Sequence, residues 1–225
     1  MMKLSLGCEV IDKITGGLST GLVTLVYGPP SSGKTTLALQ SCASAMRGGL
    51  RFLYINCYGK LHPQRVAELL RPYPKDEIKE CSLVLDVHDL PSLQRTLLIL
   101  EDSLGGDLRL IVVDTITRAY RGFLGDRRYN VKLNKLLNRI MALMSSMAER
   151  YDVAFLLTSD SRIVQETEEP VSAKVLYFWS DVVLKLEHYG VPGRRLLIVE
   201  KHYKEELVGG SLECIITKYG MRGVL

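Results

Sequence analysis

The chain has 225 residues, 47% of them hydrophobic and 24% charged, with a formal net charge of +4. Those proportions predict a soluble globular protein with enough chain for a three-layer core, and so mild a charge permits a nucleic-acid partner without demanding one. No apolar run is long and uninterrupted enough to span a bilayer, the start MMKLSLGCEVIDK has no signal-peptide pattern, and five scattered cysteines form no CxxC pair. A cytoplasmic protein with neither a zinc site nor a disulfide framework is the expectation.

Residues 22 to 27, LVTLVY, read as a buried strand that runs into GPPSSGKTT at 28 to 36. Gly28, four residues, then Gly33-Lys34-Thr35 is the spacing of a phosphate-binding loop. Pro29 and Pro30 have no N–H to donate, so the cradle is predicted from the amides of residues 31 to 36, with Ser31, Ser32 and Thr36 among the contacts. Gly28 and Gly33 let the backbone approach the ligand. Lys34 is predicted to reach the terminal phosphates of ATP, and the Thr35 hydroxyl to ligate Mg2+.

After the helix that follows the loop, strand-like and helix-like stretches alternate. Strands are predicted at 51 to 56, 81 to 87, 108 to 114 and 152 to 159, and helices at 63 to 70, 90 to 103 and 130 to 150. In the last helix Val131, Leu133, Leu136, Leu137, Ile140, Met141, Met144 and Met147 are expected on one side, as core. From residue 180 the pattern changes to successive antiparallel strands joined by VPG and VGG turns. The fold class is α/β: a mainly parallel sheet flanked by helices, with an antiparallel C-terminal extension. LRLIVVD ends in Asp114, the carboxylate a magnesium-dependent NTPase needs beside its phosphate loop. Taken alone, it also fits a strand-ending helix cap, the lesser reading once the loop at 28 to 35 is counted.

GCEVIDKITGGLSTGLVTLVYGPPSSGKTTLALQ resembles the opening of the RecA/RadA recombinase ATPase core, most of all the short archaeal RadA paralogues and RadB. The resemblance continues through FLYINCYGKLHPQR, LRLIVVDTITRAYRG, VAFLLTSDS and RRLLIVEKHY. It implies a RecA-like P-loop NTPase core over residues 1 to 225, without the separate N-terminal helical domain of full-length recombinases. ATP and Mg2+ are the implied cofactors, held by the loop with Thr35 and Asp114. HPQR nominates Arg65 to pack the adenine, or else to be an exposed helix charge. Lys201 matches a cation that reaches the nucleotide of an adjacent subunit, or else is a surface lysine of a strand.

Two departures bear on turnover. The catalytic glutamate of this family closes the second strand, and Asn56-Cys57-Tyr58-Gly59 puts a tyrosine there, a poor base at neutral pH. Asp160 stands where the family carries a phosphate-sensing glutamine, and its charge would repel a phosphate unless a metal or lysine intervened. The expectation is tight ATP binding with weak hydrolysis.

The resemblance also implies contacts with single-stranded DNA or a recombinase filament. In RAYRGFLGDRRYN, read as a loop, Arg118, Arg121, Arg127 and Arg128 are interleaved with aromatics, a composition suited to single strands; a solvated basic loop is the alternative. SRIVQETEEPVSAK, with Glu166, Glu168 and Glu169, reads as protein-facing or disordered. A homo-oligomer is compatible with the sequence; independent filament formation and strand exchange are not expected. A KaiC-like signalling ATPase and a nucleotide-sensing subunit without turnover are the alternative functions.

Overall fold

The computed structural model describes residues 1–57, 59, 63–70, 73–101, 104, 106–121 and 127–224. The chain begins with β1 (Lys3–Leu4), α1 (Glu9–Thr15), β2 (Leu18–Ser19), β3 (Val23–Gly28), α2 (Lys34–Arg47), β4 (Arg51–Asn56) and α3 (Pro63–Leu70). It continues with α4 (Lys75–Cys81), β5 (Ser82–Asp86), α5 (Leu90–Glu101), β6 (Leu108–Asp114), α6 (Ile116–Arg121), α7 (Arg127–Tyr151), β7 (Ala154–Val164), β8 (Thr167–Pro170) and α8 (Ala173–Trp179). β9 (Val182–His188), β10 (Arg194–Lys201), β11 (Ser211–Thr217) and β12 (Gly220–Gly223) complete it.

A ten-stranded sheet runs in the order β12-β11-β10-β9-β3-β7-β6-β4-β5, with β8 paired to β7. From β9 to β5 the neighbours are parallel. Successive strand side chains point to opposite faces, and the core divides accordingly. Val23, Leu25, Ile111, Val113, Phe155 and Leu157 pack with residues of α5, α6, α7 and α8. Val26, Tyr54, Val112 and Leu156 pack on the other face, with residues of α1, α2 and α3. This is the mainly parallel α/β sheet read from the sequence, and β3, β6 and β7 are its buried centre.

Three local readings change. β9 is antiparallel to β10 but parallel to β3, so the antiparallel extension is grafted directly onto the parallel sheet. Arg118 and Arg121 belong to α6, and Arg127 and Arg128 open α7, so the basic stretch is helical at both ends; residues 122 to 126 lie outside the described residues. The acidic stretch is no disordered segment: β7 and β8 form a hairpin whose turn is built on left-handed Gln165 and Glu166. Within α7, Val131 is half exposed while Leu133, Leu137, Ile140 and Met144 are buried. At about 100° per residue Val131 falls roughly 160° from Leu133, outside the buried stripe.

Candidate functional site

The parallel strands all end on one side of the sheet, and the loop between β3 and α2 opens there onto a cleft of about 670 Å³. Gly28 cannot be replaced in this conformation: a Cβ on it would lie 1.9 Å from the Leu186 carbonyl oxygen. Gly33 takes a left-handed φ of 104° and starts α2. Ser31 is also left-handed, at 62°, although it carries a side chain.

Lys34 folds back into the loop. Its Nζ donates to the carbonyls of Gly28 at 2.9 Å and Pro29 at 2.8 Å, and pairs with Asp160 Oδ1 at 3.4 Å. Burial holds this ammonium below the usual lysine range, with Asp160 pulling the other way. The opposite oxygen of Asp160 lies 3.5 Å from Arg118 Nε. An acid between two cations joins the loop to the first of the basic-stretch arginines. Lys34 is thus the lysine that the sequence reading required beside Asp160.

Asp114, at the end of β6, is 1% exposed, and its carboxylate is ringed by hydroxyls. Thr35 donates to Oδ2 at 2.7 Å and Tyr54 to the same oxygen at 2.5 Å; Thr115 and Thr158 donate to Oδ1. Burial, and then the charge of Asp114, push the Tyr54 phenol well up, so it stays a donor. Thr35 and Asp114 are hard oxygen donors side by side, a set that suits Mg2+ with its water shell and substrate phosphates. The loop itself suits an anion. The Ser32 hydroxyl is buried without a hydrogen-bond partner among the described residues, and the first amides of α2 have no intrahelical acceptor. The residues present therefore fit a magnesium–nucleotide complex.

Arg65 projects from α3 onto the cleft wall, where Leu39 and Ile216 supply apolar surface. Its guanidinium donates to the Thr217 carbonyl at 3.0 Å and the Lys218 carbonyl at 3.3 Å, and to Thr36 Oγ1 at 3.3 Å. Helix α3 is thereby tied to the turn between β11 and β12. Arg195 of β10 also lines the cleft and grips the loop's carbonyls.

The family model of Rad51 matches residues 1–187. The chain belongs to the Rad51 family. The DNA repair and recombination protein RadB of Methanosphaera stadtmanae is 28% identical over 236 residues, covering 94% of this chain and 92% of the relative. The protein of the same name from Thermococcus onnurineus is 29% identical over 226 residues, covering 99% and 98%. A crystal structure of the RadB recombinase matches with a TM-score of 0.82 and 26% identity, over 99% of this chain and 100% of that one.

Tyr58, where the sequence reading placed the family's catalytic glutamate, lies outside the described residues. Before it, the Asn56 amide donates to Asp86 Oδ1 at 2.7 Å and to the Gly59 carbonyl, so Asp86 is tied to the strand end. The Cys57 thiol is pushed up to about 12 by burial first and the Asp114 charge second, which leaves it protonated at neutral pH. Among the described residues that line the cleft, the carboxylates are Asp114 and Asp160, the first held by hydroxyls and the second by cations.

Lys201 donates to the carbonyls of Tyr177 at 2.8 Å and Ser180 at 2.6 Å, capping the end of α8 within its own chain. The hairpin acids are also engaged: Glu169 with Arg162, and Glu168 with Ser161 and Lys185. The side chains of Arg121, Arg127 and Arg128 lie outside the described residues. The sequence reading passed over Tyr54, whose phenol sits in an apolar strand run, and Arg195. A polar tip near the end of the strand at 51 to 56 is the one signal that pointed to Tyr54.

Proposed function

We propose that this Rad51-family protein binds Mg-ATP in the cleft beside β3, hydrolyses it slowly, and acts in DNA recombination or repair through single-stranded DNA or a recombinase filament. The observation that carries the reading is the loop itself, with Lys34, the buried Ser32 hydroxyl and the Thr35–Asp114 pair on one cleft. Lys34 would exchange its carbonyl partners for the terminal phosphates. Thr35 and Asp114 would hold the magnesium ion, which when bound neutralises phosphate charge. Slow turnover is supported by the tied Asp86 carboxylate beside the end of β4 and by the tyrosine at position 58. The recombination role is supported by the RadB relatives, each carrying the words DNA repair and recombination in its name. The basic α6–α7 segment supports a single-stranded DNA contact.

The test is calorimetry with Mg-ATP, followed by a turnover assay on the same protein. Wild type should bind, and Lys34→Ala should lose most of the affinity with its unfolding transition retained. Equal binding by both proteins would refute the site. Turnover equal to that of an ordinary RecA-type ATPase would refute the weak-hydrolysis reading.

A further inference from the structure

The outer face of the phosphate loop is held by two strands, β9 and β10, that no loop motif includes. His188 Nε2 lies 3.2 Å from the Pro30 carbonyl. Arg195 Nη2 donates to the Ser31 carbonyl at 2.8 Å and Nε to the Ser32 carbonyl at 3.2 Å, while Nη1 donates to the Arg194 carbonyl at 2.6 Å. Arg195 is 8% exposed. Its described partners are all carbonyls, so no described carboxylate neutralises it. A buried guanidinium with only carbonyl partners keeps its full charge next to the cleft that it lines.

Geometry gives the clamp a direction. In a planar trans peptide the carbonyl and the following N–H point opposite ways. Drawing the Ser31 and Ser32 carbonyls outward therefore turns the amides of Ser32 and Gly33 the other way. The Ser32 amide has only a long 3.3 Å bond to the Pro29 carbonyl, which an incoming oxyanion can replace. Ser31 also has a left-handed φ although it is not a glycine, a backbone state that persists where its surroundings impose it. The guanidinium on its carbonyl is such a constraint.

We propose that Arg195 is a positioning residue for nucleotide phosphates: its fork fixes the carbonyl side of residues 31 and 32 so that the loop's amides meet a nucleoside di- or triphosphate. Its unneutralised charge adds to the attraction. The proposal rests on the reading of the cleft as a nucleotide site. It assigns the antiparallel extension a part in binding that the parallel strands alone would not need.

The experiment uses the full chain with Arg195→Gln, Arg195→Lys and, as control, Arg194→Gln, whose side chain pairs on the surface with Glu213. Adenosine, ADP and ATP are each competed against a fluorescent ATP analogue, and unfolding is followed without nucleotide. Arg195→Gln should weaken ADP and ATP about tenfold or more, with adenosine changed less than about twofold. Arg195→Lys should recover only part of the loss, because a point charge cannot bridge two carbonyls. Arg194→Gln should match wild type. Equal losses for adenosine and ADP, or ADP binding untouched by either Arg195 variant, would overturn the proposal; should Arg195→Gln not fold, Arg195→Lys decides it. Wild type that fails to bind the fluorescent analogue would instead remove the nucleotide reading itself.

Discussion

Asp160→Asn should move stability and ATP affinity in opposite directions. The carboxylate sits 3.4 Å from Lys34 Nζ, with side-chain exposures of 6% and 7%. Breaking a buried pair by removing one charge costs about 3–5 kcal/mol. Here the amide keeps the shape and Lys34 keeps its two loop carbonyls, so the low end, about 3 kcal/mol, applies. The Arg118 contact is half exposed and adds little. At about 2–4 °C per kcal/mol for a chain of this size, the melting temperature should fall by roughly 6–12 °C. ATP should gain. The same carboxylate competes with the phosphates for Lys34 and repels them. Unit charges about 4 Å apart are worth ~4 kcal/mol at an effective dielectric of ~20. Taking less than half of that for a more distant phosphate gives roughly 1.4–2 kcal/mol, a tenfold to thirtyfold tighter complex. Differential scanning calorimetry without nucleotide and isothermal titration with Mg-ATP measure the two effects. A variant that loses stability and affinity together would show that Asp160 merely holds the site in shape.

The remaining predictions concern turnover, DNA and pH. A positioned general base contributes about 100- to 10,000-fold, so Tyr58→Glu should raise steady-state ATP hydrolysis measurably; brisk wild-type hydrolysis that Asp160→Asn abolishes would move the base to Asp160. If Arg127 and Arg128 contact phosphates of single-stranded DNA, their joint replacement by alanine should flatten the salt dependence by roughly one to one and a half log units, at ~0.7 per phosphate. Fluorescence anisotropy of a labelled oligonucleotide at several salt concentrations measures this, and an unchanged slope would take the two arginines out of the interface. Because burial depresses the Lys34 ammonium below its ordinary 10.5, it should lose its proton earlier than a free lysine as pH rises. ADP affinity should fall over that alkaline window. The stability sign is opposite: below the folded value Lys34 carries its burial penalty in full, and between the folded and unfolded values the unfolded chain holds more protons, so this group's contribution improves as pH rises. ADP affinity flat to pH 10.5 would contradict the burial.

What could be read from the sequence was what lies close along the chain. Gly28 to Thr35 and the strand ending at Asp114 combine local spacing with local chemistry, and the sheet order puts their ends together. Arg195 was out of reach for a physical reason. It meets the loop across more than 160 residues of chain and binds backbone carbonyls, which carry no residue identity for a pattern to match. Tyr54 was masked by its ring, which makes it look like one more core residue of β4 until its hydroxyl is found on Asp114. Periodicity found α7 but not its first turn, because Arg127 and Arg128 carry no apolar signal. The pairing of β9 was equally hidden, since a strand's own sequence does not name its neighbour.

The arrangement bears on holding against hydrolysing through where its negative charges are spent. Asp114 accepts hydroxyls from Thr35, Tyr54, Thr115 and Thr158, which uses the roughly four lone-pair sites a carboxylate offers. To take a metal-bound water it must release one donor, and Thr35 is the donor that the metal itself would draw away. The other three hold the carboxylate fixed, which favours a binding post over a proton acceptor. Asp160 is fixed in the same sense, by cations in place of hydroxyls. When phosphates take Lys34, Asp160 still has Arg118, so the carboxylate that could accept water's proton is held toward α6, the helix that opens the basic segment. One carboxylate thus touches both the loop lysine and Arg118, an arginine of α6. On the proposed reading, a site built this way holds its nucleotide, and the tyrosine at position 58 supplies no carboxylate to activate water.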